Sequence, residues 1–231
     1  MQYDLKPKPH LRIEDTYYDT HDLTLQKKMI SLRVRNINGT LLVAMKSKPQ
    51  RLAKNWVRRS ELELPWSYHS VAKIAKASKL HIPTNTNGVS TLAPTKLLSK
   101  MELVMIQERR TEREARSIIH RGTSRKSPIG ELDIDDVIFP GDTKVRIFEV
   151  EIEAKTSQAM NQVREIGEAL GSMYPSFLKT WPHGKLATGM AIRKLLEMGV
   201  LQDYVYRGRL KPEAYPMIER AMLSNRSFTK S

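Results

Sequence analysis

The run Glu149-Val-Glu-Ile-Glu-Ala-Lys155 sets Glu149, Glu151, Glu153 and Lys155 on one parity and Phe148, Val150, Ile152 and Ala154 on the other. Successive side chains of a β-strand point to opposite faces, so one face of this segment is apolar and the other carries carboxylates in a row. Carboxylates two residues apart on a strand sit ~7 Å from each other. They repel unless cations lie between them. The arrangement suits a divalent metal site or a dense salt-bridge network.

The cations that could answer these acids lie on other alternating segments. Residues 31–36 set Arg33 and Arg35 against Leu32 and Val34. Asn38-Gly39 follows, a strong two-residue hairpin signal, and residues 40–48 return with Lys46 and Lys48. Residues 55–64 place Arg59, Glu61 and Glu63 on one parity before Pro65 ends the strand. Residues 131–139 oppose Asp133 and Asp135 to Leu132 and Ile134. Residues 102–113 begin apolar and become polar from Gln107 to Arg113, which reads as a solvated strand end. Two architectures fit this pattern. One is an antiparallel sheet with a single solvated face laced by cross-strand ion pairs. The other is a closed barrel whose interior holds the charges and whose apolar outer face lies under helices. Such an interior suits a metal-chelated polyphosphate. Arginine and lysine neutralise phosphate oxygens, and glutamates hold Mg²⁺ or Mn²⁺.

The elements that must position these residues are strands first and helices later. Helical spacing predicts a short helix over 69–80, an amphipathic one over 157–173, another over 185–198 and a last one over 212–223. The 231 residues contain no cysteine, which excludes disulfides, zinc-thiolate sites and thiol catalysis. No apolar run approaches the ~20 residues of a membrane span, and residues 1–10 lack the apolar core of a signal peptide. A soluble cytoplasmic protein is expected. The net charge of +14 favours a polyanionic partner. Residues 1–200 read as one domain and residues 201–231 as a basic C-terminal extension. That extension lacks a platform of stacking aromatics, so nucleic acid is not the expected partner. His183 beside Lys185 is a candidate acid or base, but the histidines show no metal-ligand spacing. No phosphate-binding glycine loop and no G-x-S-x-G element occurs. Trp56, Trp66 and Trp181 read as packing residues.

Taken in order, the motifs carry a resemblance. They are Tyr17-Tyr18-Asp19-Thr20, Leu32-x-Arg33-x-Arg35, Ala44-Met45-Lys46 and Arg59-x-Glu61-x-Glu63, then Gln107-x-Arg109, Leu132-Asp133-Ile134-Asp135, Glu149-x-Glu151-x-Glu153-x-Lys155 and His183-Gly184-Lys185-x-x-x-Gly189. The series is similar to that of the CYTH family, the triphosphate tunnel metalloenzymes, over roughly residues 11–195. The resemblance implies an α+β fold with an eight-stranded antiparallel β-barrel, a charged tunnel with helices packed outside. It implies metal-dependent hydrolysis of inorganic, nucleoside or thiamine triphosphate. A class IV-type adenylyl cyclase and a non-catalytic polyphosphate- or nucleotide-binding module are the alternatives. Arg33, Arg35, Lys46, Arg59, Arg109 and Lys185 match substrate-gripping positions. Glu149, Glu151 and Glu153 match metal positions for Mg²⁺ or Mn²⁺. Glu151 and Lys185 are the implied catalytic pair, with Glu61, Glu63 and Asp135 as supporting tunnel acids. The implied partner is a triphosphate-containing small molecule, bound by a monomer or homodimer. The family's opening Glu-x-Glu-x-Lys strand has no match, because residues 1–10 hold Asp4 and no glutamate. The tunnel is therefore expected to be incomplete at its first strand, from a late start or a degenerate sequence, and its turnover impaired. Gln107 stands where a lysine is common, and Gly184 replaces a serine.

Overall fold

The computed structural model describes residues 2–53, 56–82, 93–122 and 127–227. The chain opens with β1 (Tyr3–Pro7), β2 (Leu11–Thr20), α1 (Thr24–Lys27) and the hairpin β3 (Ser31–Ile37) and β4 (Thr40–Lys46). Next come β5 (Gln50–Ala53), β6 (Trp56–Arg58), β7 (Glu61–Pro65), α2 (Tyr68–Ser78) and α3 (Pro94–Lys100). The second half holds β8 (Leu103–His120), β9 (Gly130–Phe139), β10 (Val145–Ala154), α4 (Met160–Met173) and α5 (Lys185–Glu197). It closes with the short β11 (Val205–Tyr206) and β12 (Arg209–Leu210) and with α6 (Ala214–Ser227).

Local chemistry accounts for the junctions. Asn38 and Gly39 both have positive φ (49° and 93°), as the two-residue turn between β3 and β4 requires. The Ser67 side chain accepts a hydrogen bond from Ser70 N at 3.0 Å and caps α2. Buried Asp19 accepts from the backbone N–H groups of Leu25 (2.8 Å) and Gln26 (2.9 Å), the otherwise orphaned donors of α1. The aspartate of the Tyr-Tyr-Asp-Thr run is thus a structural cap.

Ten strands form one sheet in the order β11-β12-β10-β9-β8-β2-β3-β4-β7, with β1 also paired to β8. All pairings in it are antiparallel except β10 with β12. Residues 103–120 make one 18-residue strand that runs on past the strand end expected at Arg113, and β1 and β2 lie end to end along one of its edges. The expected eight-stranded barrel is not seen to close among the described residues. The described sheet has β7 at one edge and the β11–β12 ribbon at the other, and no pairing joins these edges among the described residues. The first strand does not bridge them because it pairs with β8 from Tyr3–His120 to Pro7–Arg116.

Two cores flank the sheet. On one side Leu32, Val34 and Val43 meet Leu25 of α1, Val71 and Ile74 of α2, and Leu97 and Leu98 of α3. This is the apolar parity of β3 and β4, under helices as expected. The second core joins Val137, Phe139, Val145 and Ile147 to Ala191 and Ile192 of α5 and Ala214 and Ile218 of α6. Those strand residues share the parity of Asp135 and Glu149, so α5 and α6 pack on the charged face rather than outside it. Trp66 packs against the first core and Trp181 against the second. The Trp56 side chain falls outside the described residues.

Candidate functional site

Cross-strand register gathers the charged residues onto a single face. Asp15 on β2 stands opposite Arg35 on β3 and Arg109 on β8, and Tyr17 stands opposite Arg33 and Gln107. Lys46 on β4 faces Glu61 on β7. Across the sheet, Asp135 on β9 faces Glu149 on β10 and Arg113 on β8, while Asp133 faces Glu151. The face divides into a basic wall and an acidic wall.

The basic wall is built around one carboxylate. Asp15 is buried and accepts two hydrogen bonds from Arg35, 2.7 Å from Nε and 3.0 Å from Nη2. It also pairs with Arg109 Nη2 and, at 3.6 Å, with Arg33 Nε. Burial alone would raise the Asp15 pKa, but the guanidiniums of Arg109, Arg33 and Arg35 hold it well below the usual carboxylate range. Arg33 reaches on to Glu61 at 2.7 Å, Arg35 to Glu63 at 3.5 Å, and Lys46 to Glu61 at 3.1 Å. Arg109 lies over the Tyr17 ring, 5.5 Å from its centroid. Burial would push the Tyr17 hydroxyl up, but Arg109 and Arg33 outweigh it and bring it below its ordinary value. The Nε groups of Arg33 and Arg109 have no hydrogen-bond partner, so this wall retains buried donor capacity.

The acidic wall is held by two cations. Arg113 donates from Nε and Nη2 to the two oxygens of Asp135, each at 2.7 Å. It also meets Glu151 at 3.1 Å and Asp133 at 2.5 Å. Lys185 Nζ lies 2.6 Å from Glu151, 3.1 Å from Glu149 and 3.2 Å from Asp135. Burial opposes ionisation of Glu151, yet Lys185 and Arg113 bring its pKa down to about 2. Burial raises Glu149, which Lys185 only partly offsets and the neighbouring Glu151 reinforces. Burial lifts Asp133 to about 6, with Arg113 opposing, and its Oδ1 is buried without a hydrogen-bond partner. Lys46 acts electrostatically on Glu151 and Arg109 on Lys185, so the two walls confront each other.

Lys185 owes its position to α5. It is the first residue of that helix, with Gly184 as the cap. A Cβ on Gly189 would overlap Gln107 Nε2 and the Phe139 ring, so glycine lets the helix sit close on β8 and β9. Arg193 Nη1 donates to Ile106 O at 2.5 Å and pins the same helix. Before the helix, Trp181 Nε1 donates to Thr188 Oγ1 at 2.9 Å, and His183 meets Glu219 of α6 at 3.2 Å.

Of the residues expected from sequence, Arg33, Arg35, Lys46, Arg109, Glu61, Glu63, Asp135, Glu149, Glu151 and Lys185 share this face. Arg59 is exposed, and its Nη1 would lie 3.9 Å from a Cβ on Gly184, beside the start of α5. Glu153 is exposed near the end of β10, opposite Glu131, away from the Lys185 cluster. Asp15 and Arg113 were not singled out by sequence, and Asp133 was placed on the charged face without a role. Parity could have found Arg113, which follows Gln107, Arg109 and Thr111 on one side of β8. The polar half of β8 is thus split by face: Arg109, Thr111 and Arg113 point inward, while Glu108, Arg110 and Glu112 do not.

Residues 3–176 match the profile of the CYTH domain. A search of curated proteins finds no match. Among solved structures, the chain is similar to the PH1819 protein of Pyrococcus horikoshii OT3, at 14% identity over 84% of this chain and 89% of that one, with a TM-score of 0.48. A Hippeastrum protein described as a candidate adenylyl cyclase with a dominant triphosphatase activity aligns at 15% identity, over 90% of this chain and 87% of that one, with a TM-score of 0.49. A candidate adenylate cyclase of Bacillus halodurans aligns at 16% identity, over 80% of this chain and 94% of that one, with a TM-score of 0.45.

Proposed function

The chain belongs to the CYTH domain family, and from that premise we propose that it binds a triphosphate compound along its charged face and hydrolyses a phosphoanhydride bond of it. The observation that carries this reading is the convergence of Arg33, Arg35 and Arg109 on Asp15, with Lys46 on the same wall. Guanidiniums prearranged in this way match the geometry of phosphate oxygens. Phosphoryl transfer asks mainly for positioning and charge neutralisation. In this proposal the basic wall and Arg59 grip the triphosphate, and Lys185 neutralises charge that develops on the phosphoryl group being transferred. Glu149, whose basicity is raised by burial, orients the attacking water. Inorganic tripolyphosphate is the first substrate proposed, with nucleoside and thiamine triphosphates next. In this proposal residues 1–200 form the triphosphate-binding domain, and α6 of the C-terminal extension packs against its second core.

Among the described residues no helix is long and apolar enough to cross a membrane, and a cytoplasmic location is part of the proposal.

A divalent cation is what the family implies for the acidic wall, and oxygen donors are the right chemistry for one. The residues as arranged do not fit it. Asp135 gives both oxygens to Arg113 and one of them also to Lys185, and Glu151 gives one oxygen to each. Among the described residues no group of three or more acids and histidines is arranged to hold a metal. The steps above therefore rest on the chain's own cations.

Phosphate release from tripolyphosphate tests the proposal. Lys46 is partly exposed and its removal spares the cores, so Lys46→Met should lower kcat/KM at least about tenfold (about 1.4 kcal/mol) without changing the melting temperature. Unchanged kcat/KM would refute the assignment. Product analysis with ATP separates the cyclase, which yields cyclic AMP and pyrophosphate, from the hydrolase, which yields ADP and phosphate. The charge-paired acidic wall favours one second reading, a triphosphate-binding module without turnover. Tight binding with no phosphate release would select it.

A further inference from the structure

The acidic wall has its own counter-ion. Lys185 Nζ sits 2.6–3.2 Å from oxygens of Glu151, Glu149 and Asp135, three carboxylates from two strands. That is the centre of the volume in which a metal bound by those oxygens would have to lie, since magnesium and calcium sit about 2.0–2.6 Å from their ligands. The lysine side chain is 8% exposed and the Asp135 side chain fully buried. The ammonium cannot leave without desolvated carboxylates losing their partner. Its helix is not free to retreat either, because Gly189 is in close contact with Phe139 and Arg193 holds Ile106 O. Arg113 occupies the remaining Asp135 oxygen and the second Glu151 oxygen.

We infer that Lys185 is the resident cation of this wall, and that its ammonium excludes divalent metal from Glu149, Glu151 and Asp135 in the ligand-free protein. Selectivity here is electrostatic as well as steric, because a dication would share the cluster with both Lys185 and Arg113. The inference concerns the face assigned to triphosphate but is independent of hydrolysis, since it is read without any polyphosphate present.

Manganese binding to the full chain, followed by the electron paramagnetic resonance signal of free Mn²⁺, tests it. Wild-type protein should bind Mn²⁺ at least about tenfold more weakly than Lys185→Met, in which the carboxylates have lost their ammonium. Adding Glu151→Gln to Lys185→Met should abolish the gain. Equal Mn²⁺ affinity of wild type and Lys185→Met would overturn the inference. If Lys185→Met fails to fold by circular dichroism, Glu149→Gln in the wild-type background decides. Unchanged Mn²⁺ affinity supports Lys185 as the resident cation, and a loss of affinity shows that metal reaches the wall despite it.

Discussion

Asp15 carries more of the site than any single cation does. Its carboxylate serves Arg33, Arg35 and Arg109 together, two of them almost wholly buried. Removing its charge leaves buried guanidiniums facing one another, and breaking a buried pair in this way costs about 3–5 kcal/mol. Asp15→Asn should therefore lower the stability read from urea unfolding by that order. Asp133 behaves in the opposite sense. Its pKa rises from 3.8 to about 6 on folding, so the folded state binds its proton more tightly. Stability from this group is fully present below the unfolded value and is lost as pH rises through about 6. Wild-type protein should gain about 1 kcal/mol relative to Asp133→Asn between pH 7 and pH 5, measured by urea unfolding at both. The cations were legible at this scale because arginines alternating with leucine and valine mark one face of a strand. Asp15 was not, since an acid next to Glu14 and flanked on its own face by Ile13 and Tyr17 shows its importance only when two neighbouring strands bring arginines to it.

Helix α5 is the element that turns a charged sheet into a site. It delivers Lys185 from outside the sheet, and its closeness depends on Gly189. Gly189→Ala must displace the helix from Gln107 and Phe139, at a cost of about 1–3 kcal/mol by overpacking. Its melting temperature should fall, and phosphate release should fall with it, because Lys185 leaves the carboxylates. Glycine spacing after the lysine was visible in sequence, but the reason for it was not. Nothing local says that a helix at residue 185 docks beside a strand at residue 107. The same limit applies to β8. Its polar half reads as a strand end because each residue there is hydrophilic. It continues because β9 and β1 supply partners for its backbone beyond the reach of β2.

At the scale of the molecule, the sheet separates apolar from charged more thoroughly at one end than at the other. The β3–β4 end keeps helices α1–α3 behind it, while α5 and α6 cover part of the charged face at the β9–β10 end. An open face with a basic wall should attract polyphosphate over a distance set by salt. Raising ionic strength from about 0.05 to about 0.5 M should weaken tripolyphosphate binding by roughly an order of magnitude, measured by calorimetry. The fold class followed from the alternating segments and the later helices. Closure did not, because strand parity reports which face is polar and says nothing about whether two edges meet.

The long central strand also dictates an order of events. β2 pairs with β3 at once but needs β8 for its other edge, and Asp15 is separated from Arg109 by more than ninety residues of chain. Closing a loop of that length is slow compared with forming the β3–β4 hairpin. During synthesis β1 and β2 emerge before residues 103–120 and wait for them. Their open edges are exposed until then to any other strand within reach. The step that completes the basic wall is therefore the one at which the growing chain is most prone to pair with the wrong neighbour.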